Sequence, residues 1–406
     1  MNRSLLMQMI LLRMGRYKMK TFLMSLGIIV SVLATVLVQT AGQSFRETFS
    51  AFIERAYPAD SVLLVAGSGL MGGQSGSTSL RMRDVESVVN LIGDIKEWDP
   101  VVRGGARDVK NAGNNARVNV MGYSDKAESV RNRTVQEGEF FSAQDIASRA
   151  HVALIGSTTA NRLFADESPI GAQLYIDNIP FKVKGVLESV GVDPHGGDQD
   201  DTIHVPYTTL MEQMLRVDFI AGATFRVEDR SRAEAVRQDV MRIMRERHQL
   251  MEGQPDDFSV ITPVLMQDLV NKSMKTFNVF VPLIAGTAFL VSGLVILAIM
   301  LISIKERTPE IGLRKALGAR PRDLEVQFVV EVLLVVAVAS LIGLLFAQLA
   351  STALAPVLAA RFGVKSLSPP VSALLWSVGA ALVTGILGGV LPARSAAKLN
   401  PVQALR

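Results

Sequence analysis

The sequence predicts an α-helical membrane protein with four transmembrane helices and a large α+β domain outside the membrane, between helices 1 and 2. Three observations lead there. Four charge-free stretches, Thr21–Phe45, Thr276–Ile304, Val332–Ala360 and Ser366–Ala393, hold 25–29 residues each. A bilayer core of ~30 Å needs about 20 helical residues, and a buried helix of a soluble protein shows only about 10–14 apolar ones. Basic charge gathers in the segments that four crossings would place on one side. The remaining long segment mixes strand-period and helix-period patterns.

Composition fits this class. Of 406 residues 49% are apolar and 20% charged, below the ~25% charged of an average soluble chain. Disordered and collagen-like chains are excluded. The absence of cysteine excludes disulfide scaffolds, Cys-based zinc sites and thiol catalysis.

Residues 1–20 form a cytoplasmic amphipathic N-terminal segment carrying five bases, Arg3, Arg13, Arg16, Lys18 and Lys20, and no acid. The next stretch is too long for the 7–15-residue apolar region of a signal peptide and no clean cleavage site follows, so it reads as a retained helix. The expected order is helix 1 at 21–43, the exterior domain with stalk helices at 44–275, helix 2 at 276–304 and a cytoplasmic loop at 305–325. Helix 3 at 326–351, a short exterior loop at 352–370, helix 4 at 371–392 and a cytoplasmic tail at 393–406 complete it. Loop 305–325 has six bases and four acids, and the tail has Arg394, Lys398 and Arg406 and no acid. The positive-inside rule makes their side cytoplasmic. Segment 44–275, with 26 bases and 33 acids, lies outside. An acidic exterior argues against nucleic acid as a partner.

In the exterior domain, Phe45, Phe49, Phe52 and Ile53 continue an apolar stripe out of helix 1. Pro263 opens a second stalk leading into helix 2. Between them, Ser61–Val65, Arg117–Met121, Val152–Ile155, Gln173–Ile176, Phe181–Val186, Thr202–Val205 and Gly222–Val227 read as strands. Val85–Ile92 and Arg232–His248 read as helices. Gly67–Ser79 and Gly191–Asp201 read as loops. The histidines, His151, His195, His204 and His248, show no metal spacing and are assigned surface or turn roles. Asp198, Asp200 and Asp201 are dense enough for calcium but lack the D-x-[DN]-x-[DN]-G frame. No catalytic, cofactor or metal site is assigned to this chain.

Loop 305–325, KERTPEIGLRKALGARPRDLE, contains a short helix. Pro309 and Glu310 suit its start, Arg314 and Lys315 its end, and Gly318 stops it. Ile311, Ala316 and Leu317 give it an apolar side. An interfacial helix lying on lipid and a docking helix for a cytosolic partner fit this pattern equally.

The run from Glu306 to Ala319, ERTPEIGLRKALGA, resembles the signature loop of the FtsX-like ABC transporter permeases of the MacB and LolC/LolE type. Leu12–Val30 is similar to that family's opening helix, although Ser31 stands where a second glycine is common. Glu137–Phe141 with Asp145, Val152–Phe164, Pro169–Gly171 and Val205–Tyr207 resemble its exterior segments. Leu391–Arg406, LPARSAAKLNPVQALR, resembles its C-terminal signature.

The resemblance implies an inner-membrane permease subunit whose exterior, periplasmic domain is MacB-type. It implies a dimer, with a second copy or a paralogue, paired through the first two helices, and two copies of a partner ABC ATPase. Glu306, Arg307, Glu310, Ile311, Gly312, Arg314, Lys315, Ala316, Leu317, Gly318 and Ala319 would form the contact with that ATPase, with Ile311 and Leu317 filling its groove. No G-x-x-x-x-G-K-[ST] motif occurs in these residues. ATP and magnesium are therefore expected in the partner. The implied work is mechanotransmission for export or extraction, with a periplasmic adaptor and outer-membrane channel as further partners in the export case. The alternative is an ATPase-controlled regulator or scaffold of a periplasmic cell-wall enzyme.

Within the membrane, Glu331 is expected to reach a basic partner such as Arg322 or Arg394. Ala381, Gly385 and Gly389 form a small-residue face suited to packing within one subunit.

Overall fold

The computed structural model describes residues 18–67, 79–111, 113–165, 167–193, 196–364 and 366–397. His195 and most of the N-terminal segment, of loop 67–79 and of the C-terminal signature lie outside them. The chain divides into two compact units. One is drawn from Met1–Arg46, Lys272–Ala360 and Val364–Arg406, the other from Glu47–Asn271 and Arg361–Gly363.

The membrane unit is built on α1 (Lys18–Ala56), α7 (Pro263–Glu306), α9 (Pro321–Phe362) and α10 (Val371–Ala397), with the short α8 (Thr308–Ala316) between α7 and α9. The four long helices have the length and apolar composition to cross a membrane. Their inward faces meet through Ile28, Val32, Val36, Ile296, Val336, Ala339 and Ala381. Phe22, Leu26, Leu290, Leu294, Leu345 and Leu387 are exposed on the other faces. Helices apolar on both sides are what a lipid surround requires. Helix α9 continues through Pro356 to Phe362, so the first part of the expected loop 352–370 is helical. Its sequence, STALAPVLAARF, is alanine- and leucine-rich, and neighbouring turns tolerate one lost backbone donor.

The periplasmic unit is α+β. Its strands are β1 (Ser61–Ala66), β2 (Ile95–Asn111), β3 (Asn114–Tyr123), β4 (Val135–Gly138), β5 (Val152–Ile155), β6 (Gln173–Ile176), β7 (Ile179–Leu187), β8 (Thr202–Pro206), β9 (Gly222–Val227) and β10 (Phe258–Ile261). Among the described residues they join in one sheet, ordered β10-β1-β9-β2-β3-β8-β5-β7-β4, with β6 pairing β2 and β7. Helices α2 (Met82–Leu91), α3 (Ala127–Arg131), α4 (Ala143–Ala147), α5 (Ser157–Phe164) and α6 (Ala233–Arg247) connect or cover these strands.

Strand β2 organises the domain. Its first half, Ile95–Val101, pairs with β9, and its second half pairs with β3 and β6. The pairing changes at Val101–Val102, and a bulge between Arg103 and Gly105 lies just inside the second half. On one side Val62, Leu64 and Phe225 pack with Val236 and Val240 of α6. Ile53 and Phe49 pack on Leu63, Ile261 and Met266.

Two histidines depart from the surface role expected of them. His204 is 2% exposed because every residue of β8 is buried. Its ring lies 4.5 Å from that of Tyr123. His248 is also largely enclosed, with Nδ1 2.8 Å from Asp257 Oδ1 and Nε2 3.7 Å from Asp84. The acidic run is engaged internally. Asp200 accepts from Ser189 Oγ and from the amides of Val190 and Gly191, while Asp201 pairs with Arg162.

Candidate functional site

Helix α8 forms where the sequence places it, and its ends are built from local chemistry. Pro309 lies in the first turn with Glu310, and Arg314 and Lys315 lie in the last, each favourable to the helix dipole. At the far end Gly318 adopts φ +91°, a conformation glycine enters without strain. The Ala319 amide donates to Arg314 O and the Gly318 amide to Lys315 O, both at 3.0 Å, which is a Schellman closure.

Side chains then fix α8 to the rest of the membrane unit. Arg314 Nη2 donates to Glu310 Oε1 at 2.7 Å and Nη1 to Gln327 Oε1 at 3.2 Å. Lys315 Nζ donates to the Ala397 carbonyl at 2.6 Å, joining α8 to the end of α10. Arg307, between α7 and α8, is 8% exposed and lies 3.5 Å from Glu331 on α9. Lys20 and Glu306 pair between α1 and α7, and Arg394 pairs with Glu325 at 3.2 Å between α10 and α9. Charged partners thus link all four spans at the end that carries α8.

Three of the residues expected at the ATPase contact, Arg307, Ile311 and Gly312, are buried. Ile311 does not point outward: it is 3% exposed and lies in the core with Leu324 and Phe328. Gly312 is buried beside it. The helix spends its Ile311 face on its own bundle, so the outward apolar surface comes from elsewhere. Leu317 is 81% exposed and Leu313 53%. Ala316 and Gly318 are exposed next to Leu317. Leu313 was not legible as a site residue, because the length of the helix leaves open which apolar stripe turns inward. The buried Gln327 was also missed. An amide beside Phe328, thirteen residues after Arg314, is the signal that points to it.

Glu331 finds Arg307 rather than Arg322 or Arg394. The turn between α7 and α8 brings Arg307 back against α9, whereas Arg394 is taken by Glu325. The small-residue face of α10 packs on α9. Ala381 is fully buried. A β-carbon on Gly385 would lie 2.8 Å from Val336 Cγ2, and one on Gly389 3.2 Å from Val332 Cγ2. Only glycine lets the two backbones come this close. Among the described residues no group of acidic or histidine side chains is arranged to hold a metal.

Four membrane-length helices, a large sheet-based domain after the first of them and a short anchored helix after the second define a polytopic inner-membrane protein with a large periplasmic domain. The chain belongs to the FtsX-like ABC transporter permease family with a MacB-like periplasmic core. The MacB-like periplasmic core domain matches residues 21–243 and the FtsX-like permease C-terminal domain residues 282–401. It is 33% identical over 393 residues to the macrolide export ATP-binding/permease protein MacB of Marinobacter nauticus, covering 95% of this chain and 58% of that protein. It is 32% identical over 395 residues to the protein of the same name from Bdellovibrio bacteriovorus, covering 96% and 59%. The chain therefore spans about three fifths of the length of these relatives. A solved periplasmic region of MacB from Actinobacillus actinomycetemcomitans aligns with TM-score 0.46 and 16% identity, covering 54% of this chain and 95% of that one.

Proposed function

We propose that this chain is a mechanotransmitting permease subunit. An ABC ATPase carried by a partner seats on α8, and ATP binding and hydrolysis there move the periplasmic domain of a permease dimer to export or extract a substrate. The observation that carries this reading is the division of labour on α8. One face is tied to α9 and α10 through Arg314, Lys315 and Ile311, and the other presents Leu313 and Leu317 to solvent. A helix held on several sides passes on a displacement, whereas a loosely held one absorbs it. An exposed leucine pair rimmed by polar side chains is the surface expected of a docking site.

The Glu310–Arg314 pair lies within α8, so it supports the helix by about 0.2–0.5 kcal/mol and leaves docking mainly to the leucines. The test is copurification of the ATPase with wild type, Leu317→Asp and Glu310→Lys, together with ATP turnover in proteoliposomes. Leu317→Asp should weaken association at least tenfold, about 1.4 kcal/mol, with normal membrane insertion. Glu310→Lys should have the smaller effect. Unchanged association and turnover in both variants would refute the docking role.

A further inference from the structure

The connection between span α7 and the short helix α8 is a single residue, Arg307. Its amide closes α7 by donating to Ser303 O at 3.2 Å and Ile304 O at 3.1 Å, and its carbonyl accepts the Ile311 amide of α8 at 3.0 Å. Its backbone, at φ −99° and ψ 6°, turns the chain between the two helices without any linker. The side chain leaves this corner inward, is 8% exposed, and meets Glu331 of α9 at 3.5 Å. That distance is at the outer limit of a hydrogen bond. The second carboxylate oxygen of Glu331, Oε2, is buried and has no hydrogen-bond partner.

A buried carboxylate with one unpaired oxygen is an expensive arrangement, and packing alone gives no reason for it. An arginine and a carboxylate that served only to hold α8 still would do so best as a two-pronged fork, with both oxygens engaged. Here the guanidinium reaches one oxygen at long range and leaves the other open. The corner can therefore tilt over a short arc while the charges stay paired.

We propose that Arg307 is the pivot of α8 and Glu331 its positioning residue: the pair sets the angle of α8 against α9 and keeps it defined as the helix moves. This rests on the coupling role argued above. It adds that the angle is controlled by an ion pair turned into the bundle, set apart from the exposed Leu313 and Leu317. Arg314–Gln327 and Lys315–Ala397 hold the far end of the same helix, so loss of the pivot should loosen its orientation without detaching it.

The test uses the full chain, whose sequence has no cysteine, with spin labels on cysteines placed at Leu313 of α8 and Val326 of α9, both exposed. The label-to-label distance distribution is measured by pulsed electron resonance in lipid. The backgrounds are wild type, Glu331→Gln, Arg307→Gln and the exchanged pair Arg307→Glu with Glu331→Arg. Each single variant should broaden the distribution at least twofold, and the exchange should narrow it again. In unlabelled complexes, Glu331→Gln should keep ATPase association within twofold of wild type while ATP-driven transport falls about tenfold. A distribution as narrow in Glu331→Gln as in wild type, or an exchange no narrower than the singles, overturns the proposal. If a single variant fails to accumulate, recovery of accumulation in the exchange supports the pair and its absence overturns it. If wild type binds no ATPase, the coupling reading fails, and the distance measurement still decides whether the pair positions α8.

Discussion

Asp99–Arg131 in the periplasmic domain and Arg307–Glu331 in the membrane unit both bury opposite charges, and the two are made very differently. Asp99 is fully enclosed and saturated. It accepts from Ser124 N and Oγ, each at 2.8 Å, and from Arg131 Nε at 2.5 Å. Arg131 in turn lies 5.2 Å from the centre of the Tyr123 ring. Glu331 has one long contact and an open oxygen. A saturated pair has one good geometry and resists displacement, while a half-satisfied pair has several of similar energy. Asp99 stands in the half of β2 that pairs with β9, and Ser124 follows β3, which pairs with the other half. The first pair therefore locks the two halves of the periplasmic sheet as one body. The second leaves the turn between α7 and α8 less constrained, which is what the proposed coupling role requires.

This contrast can be broken most directly at the saturated pair. Asp99→Ala leaves Arg131 buried without its counter-charge, and the periplasmic domain should lose about 3–5 kcal/mol in denaturant unfolding of the full chain. Glu331→Ala should destabilise the membrane unit by less. If the two losses are equal, the distinction between lock and pivot fails. A smaller effect is expected on the α9–α10 contact. Gly385→Ala forces a methyl against the fully buried Val336 and should cost about 1–3 kcal/mol, read as a lower melting temperature in detergent. Gly379→Ala, in open space on the same helix, is the control and should change little.

Acid sharpens the same comparison. Burial, then the charges of Arg133 and Arg131, hold the His204 imidazole well below its ordinary 6.5, so the folded domain keeps it neutral where the unfolded chain protonates it. The unfolded state then binds more protons, and stability falls as pH drops below 6.5 towards the folded value. One proton gives a slope of at most about 1.4 kcal/mol per pH unit. His204→Phe, which keeps an aromatic ring beside Tyr123, should remove that slope, as checked by unfolding series at several pH values. The smallest effect is expected at Asp145. Burial raises its carboxyl, but hydrogen bonds from Lys184 and Ser142 outweigh this and hold it below 3.8. The advantage of wild type over Asp145→Asn should be at most about 1 kcal/mol above pH 3.8 and vanish as pH falls through the lower folded value.

Much of this architecture was legible because a bilayer imposes a length that few other environments demand. The apolar runs from Thr21, Thr276, Val332 and Ser366 could be little else. Strand β2 was not legible. Its run carries Lys96, Glu97, Asp99, Pro100 and Arg103 and a Gly104–Gly105 step, so charge, proline and bulge hide the alternation that pairing on both sides would otherwise show. The ends of α8 were legible, because Pro309 and Gly318 act locally. The direction of Ile311 and the partner of Glu331 were not. Both depend on how α8 folds back on α9, and periodicity within one helix contains no information about its neighbour.

The central claim is that displacement of α8 reaches the periplasmic domain. The direct measurement places a spin label on a cysteine at Ser231, which is exposed, in both copies of the reconstituted permease–ATPase complex, and records the inter-copy distance with and without a non-hydrolysable ATP analogue. The account predicts that the analogue shifts this distance in wild type and that the shift is lost in Glu331→Gln, which still binds the ATPase. An identical shift in both proteins, or none in a wild-type complex that binds and hydrolyses ATP, would contradict it.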